Sequence, residues 1–244
     1  MGGLVSARCT EDYAKVMVFL DGQNLYKSCS EHFGNPHCHP LLLARVLAGN
    51  RRLVGVRYYS GLHSPRVNKE LNARLQRRHA LMRRTGVTVV ERELRYRWEW
   101  GFRQHDLPDA FGHQGEKRTI EVTPYQRARE KGIDVALALD VIDLAQNDHM
   151  DVAIIFSSDT DLCEVARVVH DVTRKTKRVS VEAAVWRGNK RMANLLKHYD
   201  YTHNLTRDEF DQTSDSFDYT TELPSGNVAA FVAACKGTAR PGSI

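Results

Sequence analysis

No stretch of this 244-residue sequence approaches the roughly 20 consecutive apolar residues that cross a bilayer, so no membrane-spanning segment is expected. The N-terminus lacks the charged-then-apolar order of a secretory signal. Met1-Gly2 followed by Ser6 satisfies the bare myristoylation pattern, which is too short to carry weight alone. There are five cysteines, Cys9, Cys29, Cys38, Cys163 and Cys235, odd in number, scattered and without a CxxC. That usage speaks against a disulfide framework or a zinc ribbon and gives a reducing, cytoplasmic setting as the expectation. The absence of GxGxxG after the first apolar run takes away the main support for a dinucleotide-binding fold, and the absence of GxxxxGK(S/T) removes a P-loop. Internal repeats and low-complexity tracts are also missing. What the chain has is a moderate excess of base, with a formal net charge of +5 and a sequence pI near 9.0. Such a balance suits a polyanionic partner and equally a protein that simply stays soluble.

Apolar runs of strand length alternate with helical patterns along the chain. Val16–Leu20, Val54–Tyr59, Val87–Val90, Val152–Phe156 and Lys177–Val185 have the length and β-branched content of strands. Helices are expected at Leu25–Phe33, Leu41–Leu47, Arg66–Arg84, Lys131–Asn147, Leu162–Val172 and Asn189–His198. In the third, Leu71, Leu75 and Met82 lie on or near the inward stripe; in the fourth, Val135, Leu139, Ile142, Leu144 and Ala145 supply the apolar positions. Alternation of this kind means an α/β fold, a three-layer α/β/α sandwich whose mostly parallel central sheet is covered on both faces. One domain over residues 14–205 accounts for it, with an extension at 1–13 and a tail at 206–244 that is acidic, Ser/Thr-rich and carries an isolated apolar patch, Val228–Ala234. The alternation breaks between Glu91 and Arg129, where Arg95-Tyr-Arg-Trp-Glu-Trp alternates charge with aromatics as a half-exposed hairpin does, making 91–130 an insertion.

Acids recur where strands end. Asp21 follows the first strand, within Asp21-Gly-Gln-Asn24; Asp159 and Asp161 follow the run Val152–Phe156 after Ser157 and Ser158; Asp134 lies at the start of a helix. In a parallel sheet every strand's carboxyl end lies on one edge, the edge at which open α/β sheets bind ligands. Acids far apart in sequence therefore converge, and hard oxygen ligands with nothing soft beside them suit Mg²⁺ or Mn²⁺. Taken singly, Asp159 or Asp134 is equally a helix cap; three or four acids on one edge favour a metal site.

Three segments, Phe19-Leu-Asp-Gly-Gln-Asn-Leu25, Lys131-Gly-Ile-Asp-Val135 with Asp140 behind it, and Asp151–Leu162 containing Ser-Ser-Asp-Thr-Asp, resemble in order and spacing the signatures of the NYN domain, a branch of the PIN-like nuclease superfamily. The resemblance covers about residues 14–200. It implies a PIN-like α/β/α fold and metal-dependent hydrolysis of RNA to 5′-phosphate and 3′-hydroxyl ends. Asp21, Asp134, Asp159 and Asp161 fall on the family's acidic positions and Asn24 on its polar partner. Two departures stand out: the third motif usually has glycine where Ser158 stands, and the 91–130 segment is longer than the family needs. A different class of function, a nucleic-acid-binding or scaffold module that keeps the fold with little chemistry, fits the same pattern. A Toprim-like site is disfavoured, because it wants glutamate where this chain has Asp21.

Several other residues suggest contacts with RNA, single-stranded or structured. Lys131, Ser157 and Ser158 adjoin the acids, and Arg74, Arg77 and Arg78, with Arg83 and Arg84, charge one helix that could track a phosphate backbone or simply face water. Trp98 and Trp100, with Tyr96 and Phe102 among Arg95, Arg97 and Arg103, have the aromatic and basic mixture that stacks unpaired bases. The alternative for those aromatics is packing on the domain or on a second copy in a homodimer. His32, His37, Cys38 and His39, with Cys29 upstream, match no standard zinc spacing. Asp140 points roughly 240° round its helix from Asp134, so it and Asp143 are assigned to salt bridges or solvent.

Overall fold

A computed structural model of the chain describes residues 13–106, 118–129, 132–188 and 198–214, with 101–106 and most of 118–129 described as backbone only. In chain order the elements are β1 (Lys15–Asp21), α1 (Gly22–Phe33), α2 (Pro40–Ala48), β2 (Arg52–Leu62), α3 (Lys69–Arg84), β3 (Thr88–Glu93), β4 (Arg95–Asp106) and β5 (Arg118–Arg129). Then come α4 (Ile133–Gln146), β6 (Val152–Phe156), a 3₁₀ turn (Thr160–Leu162) leading into α5 (Cys163–Thr173), β7 (Ser180–Trp186), β8 (Tyr201–Leu205) and α6 (Arg207–Thr213).

Six strands form one parallel sheet in the order β3-β2-β1-β6-β7-β8, and β4 and β5 pair separately as an antiparallel arm. The expected α/β/α sandwich is therefore the fold. Val16–Leu20 and Val152–Phe156 are buried throughout because they are the two central strands, covered on both faces. After β1 the chain steps outward to β2 and β3; after β6 it steps the opposite way to β7 and β8. Right-handed crossovers then require helices on opposite faces for the two halves. Accordingly α1, α2, α3 and α6 pack on one face with Val18, Ile154 and Trp186, while α4 and α5 pack on the other with Phe19, Ile155 and Ala183.

Two features missed by periodicity hold the first of these layers. Trp186 meets Phe33, Phe156 and Phe210 at centroid separations of 5.0, 5.6 and 5.7 Å, and Phe33 stacks on Phe210 at 4.2 Å. Such pairs add about 0.5–1.5 kcal/mol each beyond burial, and they bind α6 into the core. Near the amino end of the sheet, Glu182 on β7 is fully buried and receives two bonds from Arg51, at 2.8 and 3.0 Å, and one from His203 at 2.6 Å. Arg51 also donates to the carbonyls of Leu47 and Ala48, closing the C-terminal end of α2. Burial would raise the Glu182 carboxyl, but His203 and Arg51 outweigh it and hold the group below its ordinary range.

The expected elements recur with shifted ends, and the Arg95 segment is a hairpin strand as expected. The helix expected at 189–198 and the patch at 228–234 lie outside the described residues. One expectation needs correction. Val135 and Leu139 face solvent, 55% and 61% exposed, while Ile133, Leu137, Val141 and Ala145 form the buried stripe of α4. This helix is apolar on both sides, so periodicity could not choose between its faces. On α3, Met82 is buried as expected and Leu71 and Leu75 are only half-buried, while Asn72 and His79 are buried unexpectedly.

Replacing Glu182 with Gln leaves Arg51 and His203 facing a neutral partner and should cost about 3–5 kcal/mol in urea unfolding. With its folded pKa lowered, Glu182 contributes stability that is complete above about pH 4.5 and is lost as pH falls through the folded value. The variant should accordingly lose less stability than the parent below that pH.

Candidate active site

Asp21 closes β1 and opens α1. Its φ of −72° and ψ of 106° are still extended, so the carboxylate folds forward onto the first turn, and Oδ1 accepts from the Gln23 and Asn24 N–H groups, each at 3.1 Å. Gly22 lets the turn lie against β2. A Cβ there would stand 2.6 Å from the Tyr59 carbonyl oxygen and 2.7 Å from the end of the Tyr58 ring. The glycine of Asp-Gly-Gln-Asn is thus explained by close approach.

β6 runs beside β1 in a register that pairs Leu20 with Phe156, which brings the residues after Phe156 alongside Asp21. This is the point where the strand order reverses, the ligand-binding crevice of open α/β sheets. Ser157 Oγ donates to Asp21 Oδ2 at 3.0 Å and accepts from the Asp159 N–H at 3.1 Å. Asn24 Nδ2 donates to the same Asp21 oxygen, and Asn24 Oδ1 accepts from Ser158 Oγ at 2.7 Å. Asp159 caps the 3₁₀ turn by accepting from the Asp161 N–H at 3.0 Å. Among the described residues only Asp148 combines a side chain with positive φ, so the backbone at Ser158 does not require the family's usual glycine, and its hydroxyl adds a bond a glycine could not make.

Five of the expected site residues, Asp21, Asn24, Ser157, Ser158 and Asp159, are thus joined in one hydrogen-bonded chain across two strands. Asp21 is buried, Asp159 half-buried and Asp161 exposed. Asp134 is half-buried in the first turn of α4, which follows Gly132 at φ 79° and carries no side-chain cap. Because α4 leads into the start of β6, its first turn lies at the carboxyl edge of the sheet. Among the described residues no three His, Cys, Asp or Glu side chains are grouped closely enough to hold an ion as they stand. Lys131 lies outside the described residues.

Asp140 is held two turns further along α4 by Arg57 at 2.8 Å and the Tyr59 hydroxyl at 2.7 Å, the salt bridge expected for it. Burial, with Asp140 adding to it, pushes the Tyr59 hydroxyl well above its ordinary range. Tyr199, which carried no recognisable signal in sequence, lies close enough to the site to feel Asp159: burial first, then Cys163 and Asp159, raise its hydroxyl. Arg78 is turned to the loop before α2, bonding the Cys38 carbonyl at 3.3 Å and His37 Nδ1 at 3.0 Å, whereas Arg74 and Arg77 are exposed on α3. The histidines and cysteine near 37 have separate tasks: His39 caps α2, Cys38 bonds Thr213 Oγ1 at 3.2 Å, and His32 Nδ1 meets the Ser28 carbonyl at 2.9 Å.

Ser157→Ala removes one donor from the buried Asp21 carboxylate and the acceptor for the Asp159 N–H. Urea unfolding should register a loss of about 1–3 kcal/mol. Gly22→Ala should cost a similar amount, about 1–3 kcal/mol, by forcing α1 off β2.

The family profile described as the NYN domain matches residues 15–206. A solved structure of a protein of unknown function from Vibrio parahaemolyticus is similar at a TM-score of 0.50 with 16% identity, over 83% of this chain and 99% of that one, a likeness of fold. No curated protein matches the sequence. With the profile spanning most of the chain, the chain belongs to the NYN domain family, a branch of the PIN-like superfamily.

Proposed function

We propose that the protein is a metal-dependent ribonuclease that hydrolyses RNA phosphodiester bonds at the edge where β1 and β6 end. The observation that carries this reading is the bonded chain Asp159–Ser157–Asp21–Asn24–Ser158, which presents carboxylates from both central strands at the switch point of a nuclease-like fold. The donor set suits a hard divalent cation, Mg²⁺ or Mn²⁺: every candidate ligand, Asp21, Asp134, Asp159 and Asp161, is a carboxylate. Bound there, the ion would supply Lewis acidity at the scissile phosphate and lower the pKa of a water. Asn24 and Ser157 fix the orientation of Asp21; on the turn that follows Ser157, Asp159 is half-buried and Asp161 exposed. Lys131, Arg74 and Arg77 are the cations proposed to meet phosphates.

A second reading, a binding module with little chemistry, draws on a specific observation. Asp21 already accepts four hydrogen bonds, about as many as a carboxylate has lone-pair sites, and the acids are not gathered. An ion would have to displace one of those donors.

The two readings part on one assay. Labelled single-stranded and structured RNA and matched DNA, incubated with Mn²⁺, should yield RNA fragments with 5′-phosphate ends. Chelator should abolish cleavage and Asp159→Asn should slow it by about 100-fold or more. Cleavage that survives both overturns the metal site. RNA that is bound but never cut supports the binding module. Mn²⁺ titration by calorimetry, weakened in Asp159→Asn, reads the ion's site without relying on turnover.

A further inference from the structure

The β4–β5 arm leaves the sheet at the same edge as the acids. The Leu94 N–H bonds the Leu62 carbonyl at 3.0 Å, and the Tyr96 hydroxyl accepts from the Ser64 N–H at 3.1 Å while meeting His63 Nδ1 at 2.9 Å. Burial holds His63 below its usual range, which suits a neutral ring accepting the tyrosine's proton. Tyr59 is the register partner of Asp21. His63 lies four residues further on, so the arm's anchor stands about 13 Å beyond the level of Asp21.

Past the anchor, Trp98 and Trp100 follow Tyr96 at spacings of two, on one face of the ribbon. They are 69% and 65% exposed, and neither ring meets another among the described residues. Arg95 and Arg97 take the other face, exposed and without an ion pair among the described residues; Arg127, across from Arg97, bridges to Glu99 at 3.3 Å. With β5 pairing one side of β4, its other edge is unpaired among the described residues. A strand lying along that edge has indoles on one side and guanidinium groups on the other. Two residues of β-strand separate the indoles by about 7 Å, roughly twice the 3.4 Å of stacked bases, a gap that admits one base. The cores of protein–protein interfaces are depleted in charge, and these tryptophans alternate with Arg97 and Glu99, which favours a polyanion over a second copy.

We propose that the arm is a platform for single-stranded RNA: Trp98 and Trp100 stack unpaired bases, and Arg95 and Arg97 meet the adjoining phosphates, leading the strand toward the acid edge. The substrate class rests on the ribonuclease reading; the binding itself does not require cleavage. The test is therefore run in chelator, with a fluorescein-labelled oligouridylate of about 12 nucleotides. Anisotropy should show Trp98→Ala/Trp100→Ala binding about tenfold or more weakly. Arg95→Ala/Arg97→Ala should flatten the slope of log affinity against log salt by about 1.4, two contacts at about 0.7 each. Intrinsic fluorescence gives a reading on the parent protein: Trp186 is buried, so RNA should quench the emission of the two arm tryptophans. Single Trp→Leu variants serve if the double alanine variant does not fold by circular dichroism. Binding with quenching but no cleavage under Mn²⁺ leaves the platform standing and refutes the nuclease. Unchanged affinity in the folded tryptophan variants, absence of quenching, or a shift from dimer to monomer in sedimentation with RNA affinity intact overturns the platform.

Discussion

The bond from Ser157 to the Asp21 carboxylate is the point on which the arrangement depends. It ties the end of β1 to the end of β6, two strands some 130 residues apart in sequence, at the one place where the sheet reverses its direction of winding. Because a parallel sheet aligns the carboxyl ends of its strands, this contact also decides where Asn24, Ser158 and Asp159 must go. Asn24 accepts from the Ser158 hydroxyl and Ser157 accepts from the Asp159 N–H, so the orientation of the site is inherited from the register of two buried strands and not from loop packing. Gly22 belongs to the same constraint: without it α1 could not start close enough to β2 for Asp21 to serve as cap and ligand candidate at once.

Legibility in the sequence followed the physics of each element. β1 and β6 were readable because a strand buried on both faces is an unbroken apolar run, and the acids after them stood out by recurring at strand ends, although Asp21 and Asp159 each also cap the turn that follows. α4 was readable as a helix and not in its facing, since Val135 and Leu139 look no different in sequence from Leu137 and Val141. β8 and α6 escaped notice. Tyr201–Leu205 is an edge strand with a half-polar pattern, and Phe210 is a single anchor in a polar helix whose burial depends on Trp186, distant in sequence. Buried polar partners are invisible to periodicity for the same reason: Arg51, Glu182 and His203 gain meaning only when the topology joins them.

That buried triad also bears on how the acid edge should be read. Both regions bury a carboxylate in one sheet, and the protein handles them in opposite ways. Glu182 is matched by the guanidinium of Arg51 and by His203, so its charge is compensated within the fold. Among the described residues Asp21 has only neutral donors, two backbone N–H groups, an amide and a hydroxyl, together with the positive end of α1. Neutral donors orient a carboxylate without cancelling its charge. Asp159 and Asp161 add negative charge to the same edge, and Arg57 on β2 is committed to Asp140. A structural cap has no need of this accumulation; Asn68 caps α3 with no charge at all. Among the described residues, a compensated acid near one end of the sheet contrasts with acids that meet no cation at the other, and on the proposed reading the bonds from Ser157 and Asn24 are the ones an arriving ion would have to rearrange.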